Sequence, residues 1–212
     1  MTTSDELAPI AAFTAGADLP WDDQRAEKMA RYLDLLFQFN EAMNLIGPMS
    51  RPEAVETLLL DSLVPAAARR PTGPILDVGT GAGLPGVPLK IAFPELPLTL
   101  VEPRQKRSTF LKIATHRLGL TDTEVVRARI EDVPTTPFDT VISKAFQNPT
   151  EWLATAHPFL AEQGAVLVLA RPTDRNELTT KATELGLVPA GQASVDPMRI
   201  TFAFGPTSPK QT

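Results

Sequence analysis

The residues with the most chemical content lie in one string, Ile75-Leu76-Asp77-Val78-Gly79-Thr80-Gly81-Ala82-Gly83-Leu84-Pro85-Gly86. A short apolar run ends at Gly79, and a helical pattern opens just after Gly86, so the glycines occupy a turn from a buried strand into a helix. Glycine is needed where backbone adopts positive φ or comes close to a ligand. The N–H groups of such a turn and of the following helix start make a binding site at the carboxyl end of a strand. A tight turn without a ligand is the plain alternative, and the glycines alone do not separate the two. Two carboxylates do. Asp77 stands two residues before the first glycine, where it suits the methionine end of S-adenosylmethionine and offers a pyrophosphate nothing. Glu102 follows the second apolar run, about 20 residues beyond the loop. It can accept hydrogen bonds from both hydroxyls of a ribose, or be a solvated strand-end charge. The G-x-G-x-G spacing also departs from the G-x-G-x-x-G/A of a dinucleotide site, although Gly81, Gly83 and Gly86 can be forced towards it. The expected ligand is therefore S-adenosylmethionine rather than NAD, held by Asp77, Gly79, Thr80, Gly81, Gly83 and Glu102.

These residues need a sheet to position them. From Pro74 onward short apolar runs alternate with helical stretches: strands over 75–78, 98–101, 125–128, 140–143 and 165–169, and helices over 88–93, 106–118, 150–160 and 174–185. Gly119 sits where a helix C-cap glycine belongs. Such alternation builds a parallel sheet covered by helices on both faces. Runs at 188–195 and 200–204 flank Asp196-Pro197 with no helix between them, a hairpin whose last strand runs antiparallel. Six parallel strands and one antiparallel strand give an α/β, Rossmann-like fold with a seven-stranded, mostly parallel sheet, the layout of the class I S-adenosylmethionine-dependent methyltransferases. In that layout Ile130-Glu131-Asp132, after the third strand, borders an adenine; the acidic pair can equally cap a turn.

Before the sheet lies a helical prelude. Ala26, Met29, Ala30, Leu33, Leu36 and Phe37 recur at helical spacing and predict a helix over 22–39. Ser50-Arg51-Pro52-Glu53 reads as a capping box with proline in the first turn, opening a second helix that runs towards Ala68. The division expected is a flexible N-terminus over 1–20, a helical extension over 21–72, a catalytic domain over 73–206 and a polar tail over 207–212.

Bulk properties narrow the classes. The 212 residues suffice for one sizeable core. With no cysteine, disulfides, thiolate metal sites and a cysteine nucleophile are excluded. No apolar run approaches the roughly 20 residues of a membrane span, and Met1 to Leu19 carries three acids and no base, unlike a secretory signal. A soluble, cytoplasmic monomer without membrane contact is expected. A net charge of −5 argues against an indiscriminate nucleic-acid binder, but not against a local basic face.

The run Leu76-Asp77-Val78-Gly79-Thr80-Gly81-Ala82-Gly83-Leu84-Pro85-Gly86-Val87-Pro88-Leu89 closely resembles the glycine loop of the bacterial small-subunit (16S) ribosomal RNA guanine-N7 methyltransferases, the RsmG or GidB family. Further matches follow in order: Phe39-Asn40-Glu41-Ala42-Met43-Asn44-Leu45, Leu60-Asp61-Ser62-Leu63, Glu102 with Lys106-Arg107-Ser108-Thr109-Phe110-Leu111, Arg129-Ile130-Glu131-Asp132, and Phe138 to Phe146. The resemblance implies S-adenosylmethionine as cofactor, contacted by Gly79, Leu84, Ile130, Glu131 and Lys144 with Glu102 on the ribose. It also implies transfer of a methyl group to guanine N7 in the decoding-region loop. Several polar positions depart from the family pattern. Lys144 replaces an arginine, Thr57, Leu58 and Leu59 stand where a histidine is usual, Ile46 replaces a threonine, and Ala170-Arg171 replaces Lys-Gly.

Guanine N7 has a lone pair and no proton, so alignment and exclusion of water can carry the reaction without a strong base. Lys144, at the end of the fourth strand, is assigned to hold substrate or the cofactor carboxylate, against the plain reading of a solvated lysine. Asn40 and Asn44 are candidates to line the pocket, although Asn44 equally suits a helix end. No metal is expected, since His116 and His157 lie in unrelated elements. The basic cluster Arg104, Lys106, Arg107, Lys112, His116, Arg117, Arg127 and Arg129 is the expected contact for 16S RNA or a precursor subunit, with a merely solvated face as the alternative. A methyltransferase of another substrate and a non-catalytic, cofactor-binding ribosome-associated protein are the rival readings; a NAD-dependent oxidoreductase is the remote one.

Overall fold

The computed structural model describes residues 3–207. Residues 1, 2 and 208–212, and with them all of the expected tail but Thr207, lie outside the described residues. The chain opens with helices α1 (Thr3–Glu6) and α2 (Ala8–Gly16), where a loose lead-in was expected. Leu7, Ile10 and Thr14 are buried at three- and four-residue spacing. The segment Ala8–Gly16 is small and apolar on every side, so it lacks the polar face that makes a helical period visible.

Helix α3 (Asp23–Met43) starts where Asp22 accepts the Arg25 N–H at 2.8 Å and runs past the expected end to Asn44, whose left-handed φ of 51° terminates it. The next helix begins where predicted, with the Ser50 hydroxyl accepting the Glu53 N–H at 3.3 Å, but it is not continuous. After α4 (Arg51–Ala54) the chain widens into a π-helical segment, Val55–Leu60, and only then enters α5 (Val64–Ala68). Pro65 has no N–H to donate, so a regular helix cannot run through it. The Asp61 N–H instead reaches back five residues to the Glu56 carbonyl, a local geometry common at functional sites.

The seven strands are β1 (Ile75–Val78), β2 (Leu98–Val101), β3 (Thr123–Val126), β4 (Phe138–Ser143), β5 (Leu160–Ala170), β6 (Leu187–Asp196) and β7 (Arg199–Pro206), in the order β3-β2-β1-β4-β5-β7-β6. β7 alone runs antiparallel, pairing with β5 on one side and β6 on the other, as the terminal hairpin predicted. Strand order reverses between β1 and β4, so the crevice for a ligand opens beyond the carboxyl ends of those two central strands. Successive side chains of a strand face opposite ways. Ile75 joins Leu100, Phe110 and the α3 residues Met29, Leu33 and Leu36 in one core; Leu76 and Val78 join Trp152, Leu153 and Phe202 in the other. Helices α6 (Gly86–Ala92) and α7 (Gln105–Arg117) share the first face with the extension, and α8 (Pro149–Ala156) and α9 (Arg175–Glu184) cover the second. The extension is thus part of the sheet's core rather than an appendage.

Leu36→Ala empties a fully buried position in that shared core. The expected loss is about 2–5 kcal/mol of stability, with Trp21 in the extension and Trp152 across the sheet reporting one and the same urea transition. Separate transitions for the two tryptophans would contradict a shared core.

Candidate active site

The turn after β1 is held by groups converging from four elements. Gly79 and Thr80 donate their N–H groups to the Val101 carbonyl on β2, at 2.9 and 3.2 Å. Asp77, wholly buried on β1, accepts the Thr80 hydroxyl at 2.5 Å and the Gly86 N–H at 2.7 Å on the same oxygen, Oδ2. One carboxylate therefore ties the start of the loop to the start of α6. A Cβ at Gly86 would lie 2.7 Å from Oδ2, so only glycine lets that helix end come so close. Oδ1 is sealed from solvent and has no hydrogen-bond partner among the described residues. Burial pushes the Asp77 carboxyl up to about 7, against the opposing pull of its Thr80 and Gly86 bonds.

Glu102, almost fully buried at the end of β2, accepts the Gly81 N–H on Oε2 at 3.0 Å and the Arg104 N–H on Oε1 at 2.8 Å. From the extension, Tyr32 donates its hydroxyl to the Ala82 carbonyl at 2.8 Å. Burial, and the nearby Asp77, hold the phenol well above its usual range, so it acts as a fixed donor. Sequence reasoning missed this residue, although the chain's single tyrosine lies in phase with Met29, Leu33 and Leu36, and a buried hydroxyl needs a partner.

The neighbouring strand end carries a second group of residues. Beyond β4, the Lys144 ammonium lies 2.6 Å from Asp61 Oδ2 and donates to the Thr57 carbonyl at 3.0 Å; the Arg199 guanidinium approaches the same Asp61 oxygen at 3.5 Å. Asp61, Lys144 and Arg199 border a cavity of about 430 Å³, together with Ser143, Phe146 and Trp152. Ser143 is buried, and its hydroxyl has no partner among the described residues. Phe146 is 39% exposed. It meets Trp152 edge-on with centroids 6.2 Å apart, and its ring lies so close to Gly79 that a Cβ there would be 2.6 Å from Cδ2. Phe146 thus stands where the glycine turn and the cavity meet. Ala145 between it and Lys144 has a left-handed φ of 57°, a conformation that costs a non-glycine residue of order 1 kcal/mol.

The structure brings together Asp77, the glycine turn, Glu102 and Lys144 at the carboxyl ends of β1, β2 and β4. Leu84 is buried just after the turn. Ile130 is buried against Val78 and Val101 and opens a short 3-10 turn in which Glu131 is exposed. Asn40 and Asn44 go elsewhere. The Asn40 side chain accepts the Ile46 N–H at 2.9 Å and its carbonyl accepts the Asn44 N–H at 3.0 Å, so both close α3 and neither lines the cavity. Of the two uses open to Asn44, the structure shows the helix end.

Arg104, Lys106, Lys112, His116, Arg117, Arg127 and Arg129 are exposed, and Arg107 is half-buried. Among the described residues none of these cations forms an ion pair, whereas Arg25, Arg51, Lys144, Arg171, Lys181 and Arg199 all do. These cations lie just before α7, along it and after the edge strand β3, in a chain whose net charge is negative. No described group of His, Asp or Glu side chains could hold a metal ion, and no described helix is long and apolar enough to cross a membrane.

The donor set fits a nucleoside with an amino-acid arm. A glycine-lined backbone leaves room for it, a carboxylate flanks either end of the turn, and a sealed Asp77 oxygen still lacks a donor. Comparison with known proteins agrees. Residues 25–198 match the family model GidB, rRNA small subunit methyltransferase G. The chain is 37% identical over 164 residues to ribosomal RNA small subunit methyltransferase G of Methylobacillus flagellatus, covering 77% of this chain and 78% of that protein. It is 38% identical over 149 residues to the protein of the same name from Wolinella succinogenes, covering 70% and 77%. Among solved structures, TYW2 of M. jannaschii in complex with AdoMet superposes with a TM-score of 0.53 at 15% identity, over 63% of this chain and 69% of that one. The ribosomal protein L11 methylase of Lactobacillus delbrueckii gives 0.54 at 14%, with the same coverage. At such identity these two show the fold alone.

An ammonium group on Asp77 Oδ1 would bind the carboxylate form only. With the carboxyl raised to about 7, affinity for S-adenosylhomocysteine is expected to be full above pH 7 and to fall as the pH drops below it, by up to tenfold per unit. In Asp77→Asn the acid arm should vanish and affinity be weaker throughout. Calorimetric titration from pH 5 to 7.5 checks this; an identical acid arm in the variant would remove Asp77 from the cofactor site.

Proposed function

The chain belongs to the GidB family, the small-subunit rRNA methyltransferases G, and on that footing we propose that it is an S-adenosylmethionine-dependent enzyme that methylates N7 of a guanine in 16S ribosomal RNA. The observation that carries this reading is the glycine turn braced by two buried carboxylates, one with an unpartnered oxygen, beside a cavity bordered by Phe146 and Trp152 at the next strand end.

In this reading Gly79, Thr80, Gly81, Gly83 and Leu84 cradle the cofactor, Asp77 serves its amino end, and Glu102 turns towards the ribose hydroxyls. Ile130 and Glu131 border the adenine, and Lys144, oriented by Asp61, stands by the methionine carboxylate. The bound cofactor supplies a sulfonium methyl group open to in-line displacement. The protein's own residues then need only align the acceptor and exclude water, because N7 gives up no proton. Lys144 keeps the positive charge of the family's arginine but not its two-pronged fork, and its pairing with Asp61 and the Thr57 carbonyl compensates by fixing its position. The unpaired cations on α7 and after β3 are the surface assigned to RNA phosphates, acting in the cytoplasm on naked RNA or a precursor subunit, with the enzyme a monomer.

Incubation with tritiated methyl donor and small subunits from a strain lacking the modification should place label in 16S RNA at one guanine, as N7-methylguanine. Label confined to protein or small molecules would refute the reading. For the basic surface, Lys112→Gln combined with Arg117→Gln should weaken RNA binding and lower the slope of log affinity against log salt by about 1 for each phosphate contact removed. An unchanged slope would take RNA off that face.

A further inference from the structure

The cavity beyond β4 contains more than a methyl transfer to an unspecified acceptor requires. Asp61 is almost fully buried, yet it borders the cavity, and its two oxygens are in different situations. Oδ2 is occupied by Lys144 at 2.6 Å and Arg199 at 3.5 Å, while among the described residues no hydrogen bond or ion pair reaches Oδ1. Ser143 adds a buried hydroxyl without a partner in the same wall. Phe146 offers a partly exposed ring backed edge-on by Trp152, which is itself anchored by donating its indole N–H to the Leu167 carbonyl at 3.0 Å. Unfilled polar atoms beside an aromatic face describe a site for a flat, polar, hydrogen-bonding ligand.

We propose that this cavity receives the target guanine, extruded from its stack, and that Asp61 is the specificity-determining residue, accepting the N1–H and 2-amino donors of the base while Phe146 stacks on it. The inference rests on the proposed function and names how the acceptor is chosen. Three arguments support it. A base that undergoes chemistry has to leave its stack, and its Watson–Crick edge is then free to be read. Guanine alone among the four bases presents two adjacent donors on that edge, which a carboxylate matches; adenine and cytosine present a ring-nitrogen acceptor there, and uracil a single donor between two carbonyls. Finally, N7 lies on the imidazole side, away from N1 and N2, so holding the Watson–Crick edge leaves N7 uncovered. Lysine and arginine, the usual readers of guanine, bond to O6 and N7 and would cover the atom that has to react. Here both cations are drawn to Asp61 Oδ2 instead. The pairing leaves the carboxylate oriented and the reactive nitrogen clear.

The test uses subunits carrying guanosine or inosine at the methylated position, inosine being guanosine without its 2-amino group and with N7 intact. Wild-type enzyme should favour guanosine by about tenfold or more in kcat/KM, the effect of one hydrogen bond to a charged acceptor. In Asp61→Asn the rate on guanosine should fall and the preference approach one, while a single cooperative urea transition shows the variant to be folded. A wild-type enzyme indifferent to the 2-amino group would overturn the proposal whatever the variant does, as would a variant that keeps the wild-type preference. Failure to label either RNA would instead overturn the proposed function, so the two failures are distinct.

Discussion

A single buried carboxylate organises the glycine-turn half of the candidate site. Asp77 sits on the central strand with no exposure, and one of its oxygens binds both the Thr80 hydroxyl and the N–H at the head of α6. Burying a carboxylate is costly unless hydrogen bonds and positive potential offset it. Here a helix end contributes both. The other oxygen stays unpartnered, so the offset is incomplete and the carboxyl group titrates near neutrality. A purely structural residue would gain nothing from that arrangement. A residue that has to receive a cation gains a preformed, desolvated acceptor.

The helical extension completes both halves of the site. Its long helix supplies Tyr32, which fixes the Ala82 carbonyl inside the glycine turn. Its π-helical segment supplies the Thr57 carbonyl and leads into Asp61, which together set Lys144 beyond β4. Because the extension and the sheet share one core, disturbing the extension reaches the glycine turn through packing as well as through these contacts. Phe146, which lies against Gly79 and lines the cavity, is a side chain through which the two halves touch.

Much of this was legible in the chain. Short apolar runs punctuated by glycine and proline located all seven strands, and the absence of a helix between the last two revealed the antiparallel partner. The glycine spacing with Asp77 and Glu102 pointed to the turn that both carboxylates are seen to hold. Long-range pairing was not legible. Tyr32 meets Ala82 across 50 positions and Lys144 meets Thr57 across 87, distances over which spacing carries no signal. The Leu60-Asp61-Ser62-Leu63 segment was visible as a resemblance, but only the fold shows that Asp61 faces Lys144 and Arg199. Asn40 and Asn44 illustrate the converse: side chains suited to a pocket are equally suited to end a helix, and local hydrogen bonding took them. Helix α2 escaped notice for want of a polar face.

The most direct measurement is a crystal structure of the protein with S-adenosylhomocysteine bound. This account expects the ligand's amino group, or one water bridging to it, on Asp77 Oδ1, and the ribose hydroxyls at Glu102, with the Thr80 and Gly86 bonds to Oδ2 retained. A complex in which the nucleoside binds away from the turn, leaving Oδ1 still without a donor, would contradict it.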